Sequence, residues 1–113
     1  MESKATSRYN RQSARKVRKV LNEVRGFKVG NALNYLHFSP EKASVVIEKT
    51  LKSAVANLMQ HEDNNDIDPD LIQIKEAYVN QGPVMKRFRA ASMGRASRLR
   101  RPSSHLTIVL TTE

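Results

Sequence analysis

The sequence predicts an α+β domain, and three observations carry that prediction. Apolar residues recur every three or four positions through Ser13–Gln60, the period of helices packed by one face. Two later segments alternate apolar and polar residues, the period of strands. Between those strands lies the run Lys86–Arg101, KRFRAASMGRASRLRR, with seven Lys or Arg and no Asp or Glu.

Lys4–Tyr9 reads as a short strand ahead of the first helix. From Ser13 to Arg25 the apolar positions Ala14, Val17, Val20, Leu21 and Val24 describe one helical face, and Gly26 stops the helix. Arg11, Arg15, Arg18, Lys19 and Arg25 fall mainly off that stripe. An ordinary surface helix pairs such bases with Glu at four-residue spacing, and here only Glu23 is available. Val29–Phe38 is a second helix with Ala32, Leu33 and Leu36 inward. Ser39-Pro40-Glu41 then supplies an N-cap, a first-turn proline and an acid at the positive helix end. The third helix is expected over Pro40–Gln60, burying Ala43, Val46, Ile47, Leu51, Ala54, Val55 and Leu58.

Strands follow at Leu71–Asn80, with Ile72, Ile74 and Tyr78 on one face, and at Ser104–Thr112, with Leu106, Ile108 and Leu110 on one face. Gln81-Gly82-Pro83 and Pro102 punctuate their inner ends, because proline donates nothing to a strand ladder. The connection between them is far longer than a tight turn. Its charges repel one another and it has little apolar surface with which to fold alone, so it is expected to find order on a polyanion.

The remaining chemistry is quiet. Glu62–Asp70 is an acidic turn whose Asp spacing resembles a calcium loop, but the required Gly and Glu are missing. From Asp63 those positions hold Asp68 and Ile74, and from Asp66 they hold Leu71 and Ala77. His37, His61 and His105 are scattered, with no ligand spacing. Cysteine is absent, which excludes a disulfide frame, a thiolate zinc site and a cysteine nucleophile. Neither a catalytic constellation nor a phosphate loop can be assembled, so no enzyme, metal or cofactor is expected.

Charge and length point to the partner. The chain has 113 residues, enough for one domain over 1–113, and a net charge of +9. Residues 4–28 hold nine Lys or Arg against one Glu, whereas residues 29–85 hold four bases against eight acids. Two basic regions thus flank a slightly acidic body, a distribution that suits nucleic-acid phosphates. A membrane is not the expected partner. An interfacial helix needs Trp, Phe and Leu on its apolar face, and here Trp is absent and aromatics are only 5%. No 18-residue apolar run or signal-peptide core is present, so the chain is expected to be soluble and to stay where it is made.

These residues also carry a family likeness. Gly82-Pro83, Met85-Lys86-Arg87, Gly94-Arg95-Ala96 and Ser104-His105-Leu106-Thr107-Ile108-Val109 together resemble the signature of the ribosomal large-subunit protein twenty-two family. Upstream, Ser13-Ala14-Arg15-Lys16-Val17-Arg18 resembles that family's first-helix motif. Arg25-Gly26 with Val29, Ala32 and Leu33, and then Ala56-Asn57 and His61, continue the likeness in order over roughly 5–112.

The resemblance implies three helices packed on a three-stranded antiparallel sheet, with a long extended β-hairpin over 81–103. It implies that the hairpin passes through large-subunit ribosomal RNA and lines the nascent-peptide exit tunnel. On this reading Met85, Lys86 and Arg87 belong to the tunnel-facing part near the tip, within a tunnel-facing stretch that continues through Phe88, Arg89, Ala90, Ala91, Ser92, Met93 and Gly94. The expected RNA-binding residues are Arg8, Arg11, Ser13, Arg15, Lys16, Arg18, Lys19, Arg25 and Lys28, then Lys86, Arg87, Arg89, Arg95, Arg98, Arg100 and Arg101. Ser13, Lys16 and Arg18 enter through the first-helix motif, as its RNA-facing side. Many relatives carry Pro-Arg at Ala90-Ala91, Lys at Met93 and often Arg at Pro102, so the tip is less basic than is typical. Arg89 and Arg101 compensate in part.

The implied partners are large-subunit RNA, neighbouring large-subunit proteins and the nascent peptide, with the chain a monomer in the ribosome of the cytoplasm or, if plastid-encoded, of an organelle stroma. Composition alone also fits a free RNA- or DNA-binding chaperone or regulator, or a basic scaffold for acidic proteins. The order of the motifs favours the ribosome.

Overall fold

The computed structural model describes residues 2–60, 71–90 and 92–112. The elements are β1 (Glu2–Asn10), α1 (Ala14–Val24), α2 (Val29–Phe38), α3 (Lys42–Met59), β2 (Ile72–Gln81), β3 (Met85–Ala90), β4 (Ala96–Arg101) and β5 (Ser104–Thr112). The fold is α+β. β5 pairs antiparallel with β1 on one side and β2 on the other, giving the order β1-β5-β2, and β3 and β4 form a separate antiparallel ribbon.

The helices pack on one face of the three-stranded sheet. Leu106, Ile108 and Leu110 of β5 lie at its centre and are fully buried against the α1 stripe and Ala43, Ile47, Leu51, Ala54 and Leu58 of α3. Leu33, Val46 and Val55 are only partly buried at the margin of that core. Two polar contacts fix α3 on the edge strand: the Ser3 hydroxyl donates to Ala54 O at 2.8 Å, and Asn57 Nδ2 donates to Lys4 O at 3.1 Å.

α1 begins where Ser13 caps it, its Oγ accepting the Lys16 N–H at 3.4 Å. It ends at Gly26, whose φ of +85° is a left-handed conformation that favours glycine. α3 starts two residues later than expected, and Ser39 is not its N-cap. Ser39 instead closes α2, its N–H donating to Leu36 O at 3.3 Å with ψ at 134°. Glu41 stays extended at ψ 137°, so helical geometry begins only at Lys42; Ser39 stands two residues upstream of the cap, its hydroxyl accepting the Glu41 N–H at 3.4 Å. Glu41 takes the cap position, with no side-chain cap bond of its own.

The alternation expected in β2 is also corrected. Ile72 and Ile74 face the helices, but the register with β5 slips between Ile74 and Glu76. One extra residue in a ladder reverses which side chains face inward. After the slip Ala77 and Val79 are buried, and Tyr78 emerges on the opposite face with 37% of its surface exposed.

Regular pairing stops at the prolines, and a compact junction takes over. Gly82 N–H donates to Ser103 O at 2.9 Å, and the Ser103 hydroxyl donates to Pro83 O at 2.6 Å. A Cβ on Gly82 would lie 2.6 Å from Ser103 Oγ, so glycine is required for this close approach. Beyond the junction the β3–β4 ribbon runs from the Met85–Arg101 pair to the Ala90–Ala96 pair, turning through Ser92–Gly94 with Met93 and Gly94 at positive φ. The radius of gyration is 17.3 Å, against about 13 Å for a compact chain of this length, and the longest dimension is 64 Å. The acidic turn lies outside the described residues.

Candidate nucleic-acid interface

Pairing in the ribbon decides which side chains share a face. Met85, Arg87, Arg89, Ser97, Leu99 and Arg101 occupy one face; Lys86, Phe88, Ala90, Ala96, Arg98 and Arg100 occupy the other. Each face therefore carries three cations. Lys86 stands directly opposite Arg100, a like-charge pair that is unfavourable in a free sheet. Phe88 is 69% exposed and its register partner is Arg98. Neither face has the apolar area to fold back on the body.

At the base of the ribbon is a cleft of about 580 Å³. Arg11, Gln12, Ser13 and Lys16 enter it from the start of α1, and Met85, Arg87, Arg101 and Pro102 from the ribbon. Lys42 at the start of α3 completes the wall. Five of these residues are cationic and none is acidic, so the cleft joins the two basic segments that are far apart in the chain. Among the described residues the ion pairs are His37–Glu48, Lys52–Glu48 and Lys75–Glu2, none of them in the cleft or the ribbon. Glu23, the sole acid of α1, accepts the Tyr35 hydroxyl instead of pairing with a base. The cleft's cations thus have no counterion among the described residues, and a chain of phosphates is the ligand this arrangement can neutralise.

The other expected residues divide by place. Arg15 and Lys19 are exposed on α1. Arg18 Nη2 donates to Val79 O at 2.7 Å and Arg25 Nη2 to Ala77 O at 2.6 Å, so these two cover the free edge of β2. Lys28 continues that cover through a backbone bridge to Gln73. Arg8 lies on β1, its guanidinium 5.9 Å above the Tyr9 ring. Lys86, Arg89, Arg98 and Arg100 line the ribbon, and Arg95 sits between its turn and β4.

Met85, Lys86 and Arg87 stand at the base of the ribbon rather than near its tip. Pro83 ends the body sheet there, and the chain still has all of β3 to run before it turns. The tip is the Ser92–Gly94 turn, where Met93 is 96% exposed; Ala91 lies outside the described residues. Gln12 and Lys42 are the cleft residues that the sequence left unmarked. Lys42 belongs by charge count to the acidic middle of the chain, and only the approach of α3 to the ribbon base places it here.

The fold and the cleft define a class: a small, basic α+β protein with a cationic two-stranded arm. The chain belongs to the family described as ribosomal protein L22p/L17e, which it matches over residues 5–111. It is similar to large ribosomal subunit protein uL22 of Halothermothrix orenii, 46% identical over 97% of this chain and 95% of the relative. Its likeness to the uL22 proteins of Magnetococcus marinus (44% identical, covering 96% and 94%) and Syntrophotalea carbinolica (49%, covering 97% and 97%) is of the same extent. These relatives are ribosomal proteins, and the chain is not an enzyme.

Proposed function

We propose that the chain is a structural constituent of the large ribosomal subunit. It holds large-subunit RNA through its basic surfaces, supports subunit assembly, and lends the hairpin 81–103 to the wall of the nascent-peptide exit tunnel. The observation that carries this reading is the ribbon with cations on both faces, in a chain of this family. Packed against protein, either face would strand charge away from water. Threaded between RNA helices, both faces meet phosphate. A-form major grooves are too narrow for most side chains, so folded RNA is held by its shape and backbone. Arginine suits that contact because its planar fork bridges two phosphate oxygens and stacks on bases.

On this reading residues 1–113 act as one RNA-binding domain. Arg11, Ser13, Lys16, Arg87 and Arg101 grip RNA at the cleft together with Lys42, and Arg15, Lys19, Lys86, Arg89, Arg95, Arg98 and Arg100 extend the contact. Arg18, Arg25 and Lys28 combine it with their duty on β2, and Arg8 contributes from β1. The tunnel-facing stretch is Met85–Gly94, with Phe88–Gly94 reaching farthest, since six strand residues span roughly 20 Å. Neighbouring large-subunit proteins and the nascent peptide are its other partners, and it acts as a monomer in the ribosome. No helix among the described residues is long and apolar enough to cross a membrane.

The test is a density map of large subunits assembled with this chain, together with co-sedimentation before and after nuclease. The ribbon should lie in the tunnel wall with Met93 nearest the lumen, and nuclease should release the protein. A ribbon lying on the subunit surface would overturn the tunnel assignment. Association that survives complete RNA digestion would overturn RNA as the anchor.

A further inference from the structure

One face of the three-stranded sheet carries none of the described helices. Its outward side chains form rows across the strands: Thr6, Thr107 and Tyr78 are register partners, and His105 is opposite Asn80 in the next row toward the ribbon. Lys4 and Arg8 flank those rows on β1, and the group encloses a depression of about 370 Å³. It shares no lining residue with the cleft at the ribbon base. Two cations and no carboxylate line it. Of the acids on this face, Glu2 is paired with Lys75 toward the far end of the sheet, and Glu76 shares a row with Lys4, both opposite Val109, but does not line the depression.

The walls are held in place. Tyr78 is carried outward by the register slip in β2, which leaves its ring partly open on a strand that is itself paired. At the end of β1, Tyr9 adopts a φ of +57° and donates its N–H to His105 Nδ1 at 3.0 Å. The two rings meet edge to face at 4.8 Å. Residues other than glycine rarely take that backbone conformation, and here it sets the Tyr9 ring against His105 and the Arg8 guanidinium, both of which line the depression.

We propose that this open face holds one unpaired nucleotide of ribosomal RNA, its base stacked on Tyr78 and its phosphates held by Lys4 and Arg8. The inference rests on the RNA-binding reading above and adds a site of a different kind. The cleft and ribbon meet phosphates, which carry no sequence, whereas Tyr78 offers a flat ring to a base. Asn80 adds an amide donor and acceptor beside it, suited to the base edge. Unstacked bases splayed onto aromatic side chains are the usual way a protein reads RNA. A protein partner is disfavoured because the surface between the rings is Thr, Asn and Lys rather than a continuous apolar patch.

The test uses the full chain, a fluorescein-labelled single-stranded RNA of mixed sequence, and an RNA duplex with the same number of phosphates. Tyr78→Ala should weaken single-strand binding about tenfold, the loss of one stacked base, and leave duplex binding unchanged. Tyr78→Phe should bind like wild type because the ring is kept. Asn80→Ala, at an exposed position, should weaken the single strand alone and serves as the second variant if Tyr78→Ala melts early. Arg98→Glu with Arg100→Glu should weaken both RNAs. If the Tyr78 and Asn80 variants match wild type while the arginine variant loses both, the nucleotide site is wrong and the broader RNA reading stands. If wild type binds neither RNA, both readings fall. In assembled subunits, ultraviolet light should crosslink Tyr78 or Tyr9 to a nucleotide. A crosslink from Lys4 to a neighbouring protein, with none to RNA, would assign the face to a protein instead.

Discussion

Leu51 has no exposed surface and sits midway along α3, so truncation leaves a cavity in the centre of the core. Leu51→Ala should cost about 2–5 kcal/mol in thermal or denaturant melts. A wild-type melt would show that the core does not depend on this position. Gly82 acts through the space it leaves free. Gly82→Ala should cost about 1–3 kcal/mol, because the new methyl displaces the buried Ser103 hydroxyl from Pro83 O. In a Ser103→Ala background the further cost should shrink. An unchanged cost would place the crowding on the Ser103 backbone instead. Glu48 is held below its ordinary pKa of 4.5, chiefly by a hydrogen bond from Lys52 at 3.1 Å, with His37 adding to it. A carboxyl lowered on folding stabilises the protein above its unfolded pKa, and that contribution is lost as pH falls through the folded value. Glu48→Gln should therefore melt below wild type at neutral pH, and the gap should close in acid below the carboxylate range. A gap that persists there would give Glu48 some role other than its charge.

β2 and the ribbon use the same residue type for two different ends. β2 is an edge strand, and an uncovered edge invites pairing with other chains. Arg18, Arg25 and Lys28 cover it, so part of the charge on α1 serves the fold. The ribbon arginines have no such duty, since β3 and β4 pair only with each other. Arg98→Glu with Arg100→Glu should melt like wild type yet weaken RNA binding. Arg18→Ala with Arg25→Ala should instead lower stability by about 0.5–1.5 kcal/mol for each lost hydrogen bond. Thermal melts alongside RNA titrations check both. Ribbon variants that melt far below wild type would mean that the arm is part of the folding unit.

The molecule is a body with an arm, 64 Å by 24 Å by 16 Å, and its charge follows that shape. Cations lie on α1, at the ribbon base and along the ribbon, with the cleft joining them. Binding to large-subunit RNA should therefore weaken steeply with salt. With about eight phosphate contacts and roughly 0.7–0.9 counterions released at each, log K should fall by several units per unit of log salt. Filter-binding titrations over a salt series measure that slope. A value near −1 would mean that most of these cations stay clear of RNA.

Much of this was present in one dimension. α2 spans the stretch its apolar spacing predicts, and β5 buries Leu106, Ile108 and Leu110 as its alternation requires, because helix and strand periods are local properties of the chain. The two basic segments and the prolines that end regular pairing were likewise legible. The slip in β2 was not, since it is set by register against β5, some thirty residues away, and it alone turns Tyr78 outward. Nor was the start of α3 legible, where Glu41 stays extended and helical geometry begins only at Lys42, two residues past the proline. The sharing of one cleft by α1, Lys42 and the ribbon base is likewise a product of packing. Periodicity records which face of an element is buried; what that face meets depends on contacts between distant residues, and no local pattern encodes those.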